Sequence, residues 1–301
     1  MFLDILPLAV VDGVAYASLL FLVSMGLTLI FGVMGILNVA HGSFYAFGGY
    51  AAASAVSWAA NWTDSSCALL ALLFVVALIV GIAMGGLLEM LFIRRSHAYD
   101  PSLKLLITFG VFLMLEDVRG LIWGAQPYSA SEVVNRLGNM QLGDITYTNY
   151  QLIVVPSIAL LAYLGLEYFL RRTDLGMQTV AITHHREVAI SQGINASRIG
   201  LVTFIIGAVL GGAGGALSVP TTSMVPGSSA DMIVLSFAVI ATAGMEQITG
   251  ALIAALLIGI VRSIAVYMAP DLEVATPYII MVLILIVRPQ GLFAAVQART
   301  I

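Results

Sequence analysis

Apolar runs of roughly membrane-spanning length follow one another along nearly all of this 301-residue chain, and no other feature constrains its fold as much. A helix needs about 20 mostly apolar residues to cross a hydrocarbon core ~30 Å thick. Runs of that kind cover Ile5–Val33, Cys67–Ile93, Leu103–Trp123, Tyr150–Leu170, Ile199–Val219, Ala251–Met268 and Val274–Val287. Two more, Phe44–Ala60 and Met232–Ala243, are shorter or richer in small residues. If both cross, the chain has nine spans and an outside amino terminus; if one is re-entrant, it has eight. Irregular backbone at membrane depth survives only where protein or a watery path covers it. The expectation is an all-α polytopic membrane protein, residues 1–301 forming a single transmembrane domain of eight or nine transmembrane or half-spanning helices. Composition agrees: 60% of residues are hydrophobic and 9% charged, against about 25% charged in a soluble domain. The lone Cys67 excludes a disulfide framework and a multi-cysteine metal site. A net charge of −4 is no footprint for nucleic acid. With no basic residue before Arg94, the positive start of a cleaved signal peptide is not expected.

Basic residues in short connections mark the cytoplasmic side. Arg94, Arg95 and Lys104 fall in one connection, Arg171, Arg172, Arg186 and Arg198 in a second, and Arg288 and Arg299 in the tail. The alternate connections hold Asp64, Glu132, Asp144, Asp231, Asp271 and Glu273 with a lone Arg136. Arg119 and Arg262, the remaining cations, lie inside apolar runs, as do Glu116 and Asp117. A charge at that depth costs about 2.5–3.5 kcal/mol and needs a partner or a cavity. Glu116 and Arg119 are three apart and share a helix face, which favours an ion pair over a solute path or a proton relay.

Glycines recur at Gly207, Gly211 and Gly215, with Gly81 and Gly85 repeating the spacing. Small residues let helices approach closely in lipid, either within the chain or along a seam between subunits. The stretch Asn38-Val39-Ala40-His41-Gly42-Ser43 interrupts two apolar runs. It reads as a tight turn or as part of a translocation route, with Asn38 and His41 offering polar contacts and Gly42 close approach. No further metal ligands stand near His41. No G-x-S-x-G elbow appears for a hydrolase, and no Walker A run for ATP hydrolysis by this chain.

The polar loop Arg171–Arg198 carries a short helical pattern, His185–Gln192, with Thr183 as its expected N-cap and Gly193 as its stop. A helix of about two turns is unstable alone, so it must rest on the membrane bundle or on a partner. Glu187, Ala189 and Gly193 fit E-x-A-x-x-x-G, although Val188 replaces the usual second alanine and the later I-x-L-P portion is absent. This resembles the start of the loop by which bacterial ABC-importer permeases dock into their ATPases.

The resemblance extends nearly end to end. The run Gly26–Gly42, with Phe44-Tyr45 and Gly48-Gly49-Tyr50, is similar to the high-affinity branched-chain amino-acid permeases of the LivH type. So are Asp174–Asn195 and the ending Arg288-Pro289-Gln290-Gly291-Leu292-Phe293. Ser43 departs from the pattern, since many relatives carry glutamate there. The resemblance implies a permease subunit of an ABC importer in the bacterial inner membrane, not itself an enzyme, translocating branched-chain amino acids. It implies a second homologous permease, two cytoplasmic ATPases that bind ATP and magnesium, a periplasmic binding protein, and a cytoplasmic coupling helix bearing Glu187, Ala189 and Gly193. No cofactor is expected in this chain. Urea and short-amide permeases share much of the pattern and remain an alternative substrate class. An ion-coupled secondary transporter, an intramembrane hydrolase and a passive channel are rival classes; the missing nucleophile motif counts against the hydrolase and the coupling loop against the channel.

Overall fold

The computed structural model describes residues 2–35, 37–96, 99–142 and 145–293; Asp144 and Arg299, assigned above to opposite sides, lie outside them. Among the described residues the regular structure is helical apart from one short hairpin. Nine helices build the bundle: α1 (Phe2–Met34), α2 (His41–Ala59), α3 (Ser66–Leu88), α4 (Pro101–Trp123), α6 (Val155–Arg172), α8 (Ala196–Ser218), α9 (Ser228–Ala243), α10 (Ile248–Met268) and α11 (Thr276–Val287). A small α5 (Ser131–Leu137) and α7 (Asp174–Ser191) lie in connections. Among the described residues five helical segments are long and apolar enough to cross a membrane: Leu6–Met34, Ser66–Ser96, Tyr150–Arg172, Ala196–Ser218 and Ile248–Met268.

The two doubtful runs both fold as bundle helices. Helix α2, 19 residues long, begins at His41, and the His41 ring donates from Nε2 to the Val23 carbonyl of α1, 3.0 Å away. Val23 lies eleven residues before Met34 at the end of α1, which is ~16 Å along the axis. The chain therefore turns back into the bundle after Met34 and starts α2 well inside it. The backbone of this re-entry is held by α4: the Val39 amide donates to the Thr108 hydroxyl, 3.3 Å. Helix α9 has 16 residues, ~24 Å, and α11 has only 12, ~18 Å. Neither reaches across ~30 Å of hydrocarbon unaided, and both stand against longer neighbours.

Helix α8 is the centre of the bundle because its small residues admit three other helices. A Cβ on Gly207 would lie 2.8 Å from the Gly26 carbonyl of α1, and one on Gly215 would lie 1.9 Å from the Tyr45 carbonyl of α2. On the third side, a Cβ on Gly81 of α3 would sit 2.5 Å from the Val209 Cα. These glycines mediate packing inside the chain, which answers the choice left open by their spacing. Without a hydrophobic drive between helices in lipid, this backbone proximity is what dispersion acts through.

The ends of the bundle sort by charge. Met34, Ile93, Ala189 and Ile199 share one apolar cluster at the end that carries Arg94, Arg95 and Arg198. There α3 runs on through a π-turn, Glu89–Ile93, to Ser96, and the buried Glu89 carboxylate pairs with Arg94 at 3.1 Å. At the other end Arg136 pairs with Asp64 at 3.3 Å. The loop 124–149, polar in sequence, holds α5 and an antiparallel hairpin of β1 (Asn139–Leu142) and β2 (Ile145–Thr148). A further pair of main-chain bonds joins Tyr128 to Met224, so this loop is tied to the 219–227 connection.

Candidate functional site

The intramembrane charges are bound into the packing. Arg119 donates from Nε to Glu116 Oε1 at 2.7 Å and from Nη1 to the Gly124 carbonyl at 3.0 Å. Its guanidinium lies 5.3 Å from the centre of the Tyr50 ring. The other Glu116 oxygen accepts from the Ser229 hydroxyl at 2.7 Å. One ion pair thus joins α2, α4 and α9, as expected for charges that must be satisfied away from water. Asp117 points away from this cluster and is exposed on the outer side of α4.

Asn38, His41 and Gly42 are enclosed in the helix packing. Asn38 and His41 are buried, and a Cβ on Gly42 would lie 2.2 Å from the Ser229 carbonyl. The His41 imidazole fits where α1 and α8 lack side chains: Cβ atoms on Gly26 and Gly211 would come within 3.2 and 3.1 Å of the ring. The Asn38 amide and His41 Nδ1 have no partner among the described residues. None of the three lines the two polar cavities described below.

The helical segment bearing Glu187, Ala189 and Gly193 is longer than its sequence pattern predicts. Helix α7 starts at Asp174, with the Thr173 hydroxyl accepting from the Gly176 amide at 3.1 Å. Thr183 is not a cap: it lies within the first helical stretch, and its hydroxyl donates to the Thr179 carbonyl at 3.0 Å. The break comes two residues later, at His185, with φ −146° and ψ 75°. Arg186–Ser191 then forms a separate short turn of helix. It ends as expected at Gly193, φ +86°, where the Gly193 amide donates to the Ile190 carbonyl and the Ile194 amide to the Ala189 carbonyl. This paired closure uses a left-handed residue and fixes the direction of the exit. Glu187 is exposed, but Ala189 is buried against its own bundle in the cluster with Ile93 and Ile199. Its small size serves internal packing, and the outward apolar face belongs to Val188 and Ile190.

Two polar cavities lie along α1, and the sequence pattern marked neither. The first, about 240 Å³, is at the basic end; Thr28 and Gly32 of α1 meet Thr183 and His184 of α7 and Glu246 of the α9–α10 turn. Glu246 has φ +75°, an uncommon value for a residue with a side chain. The second, about 370 Å³, lies at the opposite end of the same helices and is lined by Tyr16, Tyr45, Asp231 and Arg262 among others. Arg262 lies over the Tyr16 ring, 4.1 Å from its centre, and pairs with Glu273. Tyr16 and Thr28 are twelve residues apart, ~18 Å along α1. Between the cavities Leu27 of α1 packs against Ile233, Ile240 and the partly buried Phe237 of α9. The buried Ser236 hydroxyl on the same stretch of α9 has no partner among the described residues. Of this constellation Arg262 stood out in the sequence as a lone cation in an apolar run, whereas Asp231 and Glu273 read only as charges of the acidic connections and Thr183 as a helix cap.

Comparison with known proteins agrees with this architecture. Residues 9–285 match the family described as branched-chain amino acid transport system / permease component. The chain is 25% identical over 298 residues to the high-affinity branched-chain amino acid transport system permease protein LivH of Salmonella typhimurium, covering 96% of each chain. It is 24% identical over 298 residues to the corresponding BraD protein of Pseudomonas aeruginosa, covering 97% of this chain and 96% of that one. A probable LivH permease of Methanocaldococcus jannaschii is 27% identical over 267 residues, 85% of this chain and 79% of that one. PsaBC from Streptococcus pneumoniae in complex with Fab aligns over 93% of this chain and 91% of that one at 11% identity, with a TM-score of 0.48, too loose a likeness to add to the fold. The chain is therefore a multi-pass membrane protein that belongs to the family of branched-chain amino acid transport permease components.

Proposed function

We propose that this chain is the transmembrane permease subunit of an ABC importer in a bacterial inner membrane, and that it translocates branched-chain amino acids. The observation that carries the reading is the pair of cavities along α1, with the buried Leu27–Ile233–Ile240 cluster on α1 and α9 and the inner cavity bordered by Thr183 and His184 of α7. A solute path that is closed in the middle fits alternating access. Work enters where Thr183 and His184 touch the inner cavity, one residue before the break at His185. In this reading ATP and magnesium are held by two partner ATPases, a second permease completes the path, and a periplasmic protein delivers the solute. ATPase closure presses on the Arg186–Ser191 turn, the His185 break acts as a hinge, and the first stretch of α7 moves against α1 and Glu246. Glu187 and Gly193 are positioning residues: Glu187 places a carboxylate in the first turn, where the helix dipole favours it, and Gly193 sets the exit. Urea or a short amide is the alternative solute, supported by Ser43.

The test is uptake of radiolabelled leucine by the assembled transporter in proteoliposomes supplied with binding protein and internal ATP. Leucine uptake that requires ATP is expected, with Gly193→Val lowering uptake and substrate-stimulated ATPase together while the subunits still co-purify. Urea uptake in place of leucine would move the reading to the alternative. Uptake by this chain alone, driven by an ion gradient, would overturn it.

A further inference from the structure

The outer cavity combines features that its position in a membrane protein makes costly. It is about 370 Å³, within the ~300–1,000 Å³ usual for small-molecule sites. Arg262 reaches it from α10, six residues before the end of that helix at Met268, or ~9 Å along the axis. A cation within an apolar helix needs a partner or a cavity. Glu273 takes one edge of its guanidinium and Tyr16 covers one face. A guanidinium has five N–H donors in a fixed fork, and no other hydrogen bond from Arg262 is made among the described residues.

Asp231 supplies the opposite charge. It stands in the first turn of α9 and lines the same cavity. A first-turn carboxylate complements the helix dipole. The side chain is exposed toward the cavity and has no ion-pair or hydrogen-bond partner among the described residues. Met232 and Leu235 from α9, with Val274 and Pro277 at the approach to α11, give the wall an apolar patch, and Thr222, Ser223, Ser228 and Tyr278 give it hydroxyls. A guanidinium with one resident counter-ion, a second carboxylate without one and an apolar patch match three parts of one molecule: an α-carboxylate, an α-ammonium and an aliphatic side chain.

We infer that this cavity is an outward-facing binding site for a zwitterionic aliphatic amino acid. Arg262 receives the carboxylate, Asp231 the ammonium, and Met232 with Leu235 the side chain. The site lies inside the permease, on the outer side of the Leu27–Ile233–Ile240 cluster, so the solute is checked a second time after delivery. A urea-like solute carries neither charge and would use neither residue. This inference rests on the amino-acid reading above and adds to it a place and a set of contacts.

The test uses membranes carrying the assembled transporter with Cys67→Ser and Ser223→Cys, the latter on the cavity wall. The readout is the labelling rate of the new thiol by a small methanethiosulfonate reagent. L-Leucine should slow labelling, and isoamylamine and 4-methylpentanoate, which each lack one charge, should require about tenfold higher concentration, the scale of one charge-assisted hydrogen bond. Asp231→Asn should erase the preference for leucine over 4-methylpentanoate, and Arg262→Gln that over isoamylamine. A transporter that takes up leucine but labels at the same rate with and without it would sink the site and leave the importer reading standing. Equal protection by all three compounds would do the same. Protection and uptake with urea rather than leucine would remove both.

Discussion

At the residue scale, ion pairing and glycine contacts make different demands. Arg119 and Glu116 stabilise each other only as a pair, since each alone is a charge away from water. Arg119→Met should cost about 3–5 kcal/mol, the range for breaking a buried pair by removing one partner. The double variant Arg119→Met with Glu116→Gln should recover most of it. Thermal unfolding in detergent checks both, and a double variant no more stable than the single would show that the pair does not govern this junction. Gly215 obeys a steric rule: a Cβ there meets the Tyr45 carbonyl at 1.9 Å, whereas one on Gly110 meets nothing within 4 Å. Gly215→Ala should destabilise the chain by about 1–3 kcal/mol, the usual cost of forcing extra volume into a packed core. Gly110→Ala should leave the melting temperature unchanged or slightly raised, since alanine is the better helix former.

At the scale of elements, α7 shows how packing redistributes the roles that a motif implies. Ala189 reads from the E-x-A-x-x-x-G pattern as a contact for a partner, yet the Gly193 closure turns it inward and leaves Val188 and Ile190 outside. The two kinds of position should therefore fail differently. Ala189→Trp should lower the amount of folded chain, because an indole has no room in the cluster with Ile93 and Ile199. Val188→Asp with Ile190→Asp should leave folding intact and weaken association with the ATPases, measured by co-purification. Normal ATPase binding by that double variant would place the docking surface elsewhere. The break at His185 could not be read from the sequence, because neither proline nor glycine marks it; the first stretch instead stands beside α1, where a Cβ on Gly32 would lie 3.5 Å from the Thr183 methyl.

For the whole molecule, incompleteness is the informative property. Long faces of α3, α4 and α6 are exposed and apolar, Leu121 and Leu161 among them. Lipid accounts for such a face, but Asp117 on α4 breaks it. In the proposed reading the two cavities are half-paths and the Arg186–Ser191 turn a docking surface, and the chain carries no Walker A sequence that could drive them. The expected behaviour of the purified chain alone in proteoliposomes is neither ATP hydrolysis nor leucine uptake. Either activity above that of empty liposomes would contradict the division of labour proposed here.

Hydropathy alone determined that this chain is an α-helical bundle in a membrane. The free energy of placing twenty apolar residues in lipid is local to the run and does not depend on its neighbours. The Glu116–Arg119 pair and the stop at Gly193 were legible for the same reason, being set by spacing within one helix. Tertiary structure alone decided that α2 begins inside the bundle, that His41 is enclosed by glycines from two other helices, and that Ala189 faces inward. It also decided that Asp231 and Arg262, thirty-one positions apart in the sequence, border one cavity with Tyr16. Such pairings depend on which helix faces lie together, and near-uniform apolar helices carry little pattern to say which way they face. Close contact between small residues settles that rotation, and it exists only once the helices have packed.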